Sequence, residues 1–204
     1  MTQQDRQAER GTTLIELLVV MVVFTALMGL VYGVLGQVQA QTAGTQRRAD
    51  SVDQARLGLS QIDRHVRSGN VLYDPVSETL PLSMRVFTQA NGARRCVQWQ
   101  VYRPPATPAT VPGVLRYRSW TSDGVSASNV EAWTTIARGV TNTPADPPFS
   151  LDPAASYGKR LLNVRLLVQT PRDGAAPVEV QSSLSGRNTH YGYDPGSCNP
   201  TPPA

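Results

Sequence analysis

The chain has 204 residues, 40% hydrophobic and 17% charged, with a formal net charge of +4. That length fits one modest domain beside an anchoring segment. A charge excess this small, with no basic block or stripe, argues against a protein built around nucleic acid.

In chain order, a hydrophilic start ends at Arg10-Gly11, and Glu16 follows five positions on. From Leu17 to Gly36 run 20 residues without a charge. As a helix they span about 30 Å, the thickness of a hydrocarbon core. A secretory signal has a shorter apolar region, roughly 7–15 residues, before an A-x-A-like site. Gln37-Val38-Gln39-Ala40 matches such a site poorly, so the run reads as a retained anchor. Glu16 stands at its mouth. A lipid-facing carboxylate costs roughly 2.5–3.5 kcal/mol at a helix centre and less near an end. Glu16 is therefore a candidate functional residue whose partner has to be found.

Arg6 and Arg10 before the run balance Arg47 and Arg48 after it, so loop charge does not set the orientation. The leader is too short to fold alone, which favours a cytoplasmic N-terminus. Gly29, Gly33 and Gly36 lie late in the run. Gly29-x-x-x-Gly33 is a spacing that lets helix backbones approach closely in lipid. Glycine is also simply common in membrane helices, and both readings stand.

All 16 prolines fall at or after Pro75, so nothing breaks a helix before that point. Val52, Ala55, Leu59, Ile62 and Val66 recur at 3-4-3-4 spacing, one apolar stripe on a helix. Asp63 and Arg67 are placed to pair across one turn, and Ser68-Gly69-Asn70 supplies a stop. The spacing predicts one continuous helix from Thr12 to Ser68, about 85 Å long. It is apolar all round at first, then amphipathic, with a domain carried on the apolar face. Gly44 and Gly58 weaken its regularity, each by about 1 kcal/mol against Ala.

After Gly69 the period becomes two. Strands are predicted from Met84 to Gln89, Cys96 to Tyr102, Val114 to Thr121, Trp133 to Val140, Leu161 to Thr170 and Val178 to Leu184. Asn91-Gly92 marks a tight turn, and Arg172-Asp173-Gly174 lies in a longer hairpin loop. Residues 104–112 and 143–153 are proline-rich loops, and 191–204 read as coil. The expected organisation is a leader (1–11), a transmembrane helix segment (12–36), an amphipathic stem (37–69), a β-rich globular domain (70–190) and a C-terminal coil (191–204). The fold class is α+β, a long helix on an antiparallel sheet.

No nucleophile elbow, zincin, P-loop, dinucleotide or calcium-loop motif is present. No catalytic residue, metal ligand or cofactor is nominated, and an enzyme is the class with least support. His65, beside Arg64 on the polar side of the stem, and His190 in the coil read as solvent-exposed. Asp123 and Asp173 precede glycines, which turn chemistry explains. Arg94, Arg95, Trp99, Tyr102, Arg103, Arg116, Tyr117, Arg118 and Trp120 mix cations with aromatics. They form either a stacking surface for single-stranded nucleic acid or alternating strands with aromatics inward and arginines outward, the reading we favour. Cys96 and Cys198 lack the C-x-x-C spacing of zinc or redox sites. Outside the cytoplasm they could form one disulfide, worth about 4–5 kcal/mol in the chain-entropy model. Two free thiols is the other reading.

Gly11 before the run, Glu16 five positions on and the uncharged stretch from Leu17 to Gly36 together make the chain resemble type IV prepilins. The resemblance implies a pilin-like fold and a leader cut between Gly11 and Thr12 by a membrane aspartic prepilin peptidase. It also implies N-methylation at the new terminus, Thr12. Glu16 would pair with the freed amine of a neighbouring subunit. Two charges that are each costly in low dielectric become tolerable as a pair, and the pair rewards one axial stagger. The position after the cut is usually Phe or Met in major pilins, so Thr12 points to a minor subunit.

A second resemblance, to minor pilins and pseudopilins of the PilW or GspJ-like group, rests on short motifs. These are Asp63-Arg64-His65-Val66-Arg67, Gly113-Val114-Leu115-Arg116-Tyr117-Arg118 and Ser185-Gly186-Arg187-Asn188. It implies a place at or near a filament tip and a role in starting a type IV pilus or type II secretion filament. The implied partners are other pilin or pseudopilin subunits, prepilin peptidase, the inner-membrane assembly platform and the membrane, with the globular domain periplasmic. The rival readings are a signal-anchored exoplasmic binding protein and a DNA-uptake pilin that contacts DNA.

Overall fold

The computed structural model describes residues 13–89, 92–108, 111–122, 129–152, 160–169, 176–186, 193–194 and 196–203. Helix α1, Leu14–Arg67, is a single 54-residue element. Its first amide bond runs from Leu17 N to Thr13 O. Its last turn carries Arg64 and Arg67, cations at the negative end of the helix dipole. The Ser68 hydroxyl donates to the carbonyls of Arg64 and His65 at 2.9 and 3.1 Å, satisfying groups the helix leaves open. A Cβ at Gly69 would lie 2.7 Å from Val86 Cγ1 and 2.9 Å from Val66 O. Glycine is what lets the chain turn into a strand at once.

The chain divides into two compact units, Met1–Thr45 and Gln46–Ala204. Among the described residues the first is helix alone, with every side chain from 13 to 43 exposed. The second contains the rest of α1 and one antiparallel sheet. Its strands are β1 Gly69–Leu72, β2 Ser83–Thr88, β3 Arg95–Tyr102, β4 Gly113–Thr121, β5 Thr134–Val140, β6 Phe149–Leu151, β7 Leu161–Val168 and β8 Val178–Ser185. The order is β1-β2-β3-β4-β5-β7-β6, with β8 also on β7. This is the expected α+β class.

The helix buries Ala55, Gly58, Ile62 and Val66. The predicted stripe is thus the packing face, with one addition. Gly58, read from sequence only as a weak point, approaches the sheet so closely that a Cβ there would sit 2.7 Å from Leu115 Cδ2. Met84, Val86, Val97, Trp99, Val101 and Leu115 meet the helix in the main core, which continues through Val164, Leu166 and Val168.

Strand β7 shows how the sheet is closed. β8 pairs along its whole length, while β5 reaches it only at Val140–Val168 and β6 only at 162–164. A strand has two edges, so β5 and β6 share the one opposite β8. The gap between them is bridged by fully buried Asn142. Its Oδ1 accepts from Leu167 N at 2.9 Å, and its Nδ2 donates to Arg165 O at 2.8 Å and Asp146 O at 3.0 Å. A side-chain amide here stands in for missing ladder bonds.

Several sequence expectations need correction. β1 and β6 lie in stretches read as a helix stop and a proline-rich loop, and at four and three residues both are too short to carry a period. Trp133 precedes β5 rather than opening it. The turn residue Asn91, the 172–174 loop, Asp123, Arg187, Asn188 and His190 lie outside the described residues. His65 is half-buried rather than exposed: Trp99 Nε1 donates to its Nδ1 at 3.2 Å, and its ring lies 5.7 Å from that of Tyr117.

The arginine-aromatic group also differs from the favoured pattern. Trp99 and Tyr117 do face the helix side, but Tyr102, Arg116, Arg118 and Trp120 share the opposite face by strand alternation. That face is covered. Arg118 is 5% exposed, donating to Gln98 Oε1 and to the carbonyls of Pro202 and Pro203 at 2.8 and 2.7 Å. Arg85, 7% exposed, bonds the Glu78 carboxylate, Cys198 O and Asn199 Oδ1. Arg116 sits over the rings of Tyr102 and Trp133, 3.6 and 4.1 Å from their centroids. The terminal segment is therefore a strap over the outer face, not a free coil. It is tied down by a Cys96–Cys198 disulfide, S–S 2.01 Å, inside a second apolar cluster with Val71, Phe87 and Trp120.

Candidate functional site

The candidate site is the first unit's helix. From Leu14 onward its apolar side chains point outward on all sides, and none is buried within the chain. In water such a surface would be left uncovered at large cost. In lipid it is at home, and the helix is long and apolar enough to cross a membrane. A helix there must satisfy its own polar groups. Thr25 does so: its hydroxyl donates back to Met21 O at 2.9 Å and Val22 O at 3.0 Å.

Glu16 lies in the first turn, where an acid suits the helix dipole. It is exposed and forms no ion pair among the described residues. A Cβ at Gly29, Gly33 or Gly36 would meet nothing within 4 Å, so these glycines pack against nothing else among the described residues. At about 100° per residue they fall within an arc of about 60°, and Glu16 lies about 100–160° away around the helix. The acid and the small-residue face therefore point in different directions around the helix. Gly11 and Thr12 lie outside the described residues.

A half-open cleft of about 310 Å3 is lined by His65, Thr88, Arg95, Tyr117, Ser119 and Glu131, among others. Burial, with Arg64 nearby, lowers His65 to about 4. The Ser119 hydroxyl, and then Arg95 at 2.6 Å, hold Glu131 below its ordinary value. Neither group is poised to exchange a proton near neutral pH. Among the described residues no cluster of three or more His, Cys, Asp or Glu could hold a metal ion.

Comparison with protein families places the prokaryotic N-terminal methylation motif on residues 6–32. That span includes Gly11, Thr12, Glu16 and Gly29, and ends before Gly33 and Gly36. The chain thus carries the N-terminal signature of type IV pilin-like precursors. The signature and the apolar helix together fit a membrane-anchored protein. Neither the curated proteins nor the solved structures yielded a match to this chain.

Proposed function

We propose that this chain is a minor pilin or pseudopilin, a non-enzymatic subunit of a type IV pilus or type II secretion filament. It inserts with its N-terminus in the cytoplasm, and prepilin peptidase removes residues 1–11 after Gly11. The new terminus at Thr12 is N-methylated. The helix is then drawn through the assembly platform from the inner membrane into a bundle of like helices, where Glu16 pairs with the Thr12 amine of a neighbour. The smaller residue at position 12 favours an initiating or tip subunit over a bulk one.

The observation that carries the reading is the fully exposed apolar helix with one acid at its mouth and no ion-pair partner for that acid among the described residues. The family motif over 6–32 supports it. The Cys96–Cys198 bond fits a domain outside the cytoplasm. The test is assembly of Glu16→Ala: the variant is cleaved normally but is depleted from sheared filaments. Parental incorporation would remove Glu16 from its role. Of the rivals, a signal-anchored binding protein would keep its leader. DNA contact through the strand arginines draws no support, because Arg95, Arg103, Arg116 and Arg118 are engaged within the chain.

A further inference from the structure

The strap over the outer face of β2–β4 is held as a ligand is held in a site. Arg118 donates from Nη1 and Nη2 to the carbonyls of Pro203 and Pro202, at 2.7 and 2.8 Å. Gln98 Oε1 accepts from its Nε at 3.0 Å and from Nη2 at 2.9 Å, which aims the fork at the strap. Arg85 repeats the arrangement. Both oxygens of Glu78 hold its Nε, and its Nη1 donates to Cys198 O at 2.9 Å and Asn199 Oδ1 at 3.1 Å. Both arginines are buried. They present donors to the strap, while the acceptors beside them, Gln98 Oε1 and the Glu78 carboxylate, are taken up by the two guanidinium groups. The strap answers with residues that accept and do not donate. Positions 200, 202 and 203 are proline, which carries a carbonyl but no N–H. Of these prolines only Pro202 is buried. Two strap amides are satisfied away from the arginines, Asn199 N by Gly196 O at 2.9 Å and Cys198 N by the Tyr73 hydroxyl at 3.2 Å.

We propose that the outer face of β2–β4 is a binding groove for proline-rich polypeptide segments, filled in cis by the strap and open to a proline-rich segment of another protein while Cys96 and Cys198 are thiols. A surface of donors favours a segment without N–H groups, because nothing docked there is left stranded. An ordinary residue at position 203 would bring an N–H beside the Arg118 guanidinium, where the nearby acceptors are already used. One stranded amide costs about tenfold in affinity. The disulfide decides which segment sits in the groove. With Cys96–Cys198 closed, the strap is presented at an effective concentration on the order of millimolar or higher, and a free segment stays out. With the bond open, the strap is tethered only through the chain before it and exchanges. Closure passes two electrons and two protons from the two thiols to the disulfide of an external thiol oxidase, and it retains the cis occupant. The groove lies wholly within the second unit and is independent of how the leader is processed.

The experiment uses the full-length chain in detergent and fluorescence anisotropy of a labelled, amide-capped peptide with the sequence of residues 199–204. Two open variants are compared with the disulfide-bonded parent. The first carries Cys96→Ser with Cys198→Ser. The second adds Pro202→Gly with Pro203→Gly, which makes its own strap a poor competitor. The parent binds no peptide, the first variant binds weakly, and the second binds about tenfold more tightly than the first. A peptide with glycine in place of both of those prolines binds the second variant about tenfold less well. Arg118→Lys in that variant keeps the charge but loses the fork, and weakens the proline peptide about tenfold. The peptide comparison needs no change at Arg118, so it decides the question even where that variant fails to fold. The proposal is overturned if neither open variant binds the proline peptide, if the parent binds it equally, or if the glycine peptide binds as well.

Discussion

The indole of Trp99, fully buried beneath α1, donates its N–H to Nδ1 of His65 at 3.2 Å. Nδ1 can accept only when the ring is neutral with its proton on Nε2. This bond ties the last turn of the helix to the centre of the sheet, and it makes the fold sensitive to acid.

The first prediction follows from that bond. Burial, reinforced by Arg64, depresses His65 to about 4 from 6.5. A base with a depressed folded pKa is protonated first in the unfolded chain, so stability present above 6.5 is lost as pH falls toward 4. The expected loss between neutral pH and pH 4.5 is about 2–3 kcal/mol. Glu78 slopes the other way, because burial, partly offset by Arg85, raises its carboxyl. Urea titrations of the parent and of His65→Gln separate the two. The variant should lose the acid-labile component, and equal pH slopes in both would contradict the assignment.

Gly58 is the point where helix and strand β4 crowd. Gly58→Leu should destabilise the domain by about 1–3 kcal/mol through overpacking against Leu115. Combining it with Leu115→Ala should recover part of that loss, a coupling readable in a double-mutant cycle. Additive effects would show that the two sites do not meet.

Asn142 replaces backbone pairing between β5 and β6. Asn142→Ala leaves the Leu167 N–H and the Arg165 carbonyl without these partners in a buried place. The expected cost is about 2–4 kcal/mol. Hydrogen exchange should accelerate first at Leu167. Unchanged protection at that amide would deny the bridging role.

Cys96→Ser with Cys198→Ser opens a loop spanning 102 residues. The chain-entropy model puts the loss at about 4–5 kcal/mol. The terminal strap should loosen before the sheet does, since Arg85 and Arg118 hold it only through carbonyls and one side-chain oxygen. Limited proteolysis would then cut within 196–203 while β2–β4 remain intact. Simultaneous loss of both would contradict this order.

Much of this architecture was legible in the sequence because burial follows period. The helix stripe at Ala55, Ile62 and Val66 and the longer strands repeat their apolar residues often enough to declare a face. β1 and β6 do not, being too short. Alternation also says which residues share a face but not what covers it. Arg118 reads as an outward arginine, and only the chain's own distant Pro202 and Pro203 make it a buried one. His65 was misread for the same reason, since its stem position is polar by local spacing and buried by Trp99 and Tyr117. For the cysteines, spacing left both bonded and free forms open. Glu16 was conspicuous because an acid beside a spanning run has no cheap local explanation.

The central claim is that this chain is a prepilin-like precursor matured at Gly11. N-terminal sequencing of the full-length protein, recovered from membranes of cells that carry prepilin peptidase, tests it most directly. The account predicts a mature chain that begins at Thr12 and a Gly11→Leu variant that keeps Met1 or its immediate successor. A parental chain with its leader intact, or one that begins beyond Gly36, would contradict it.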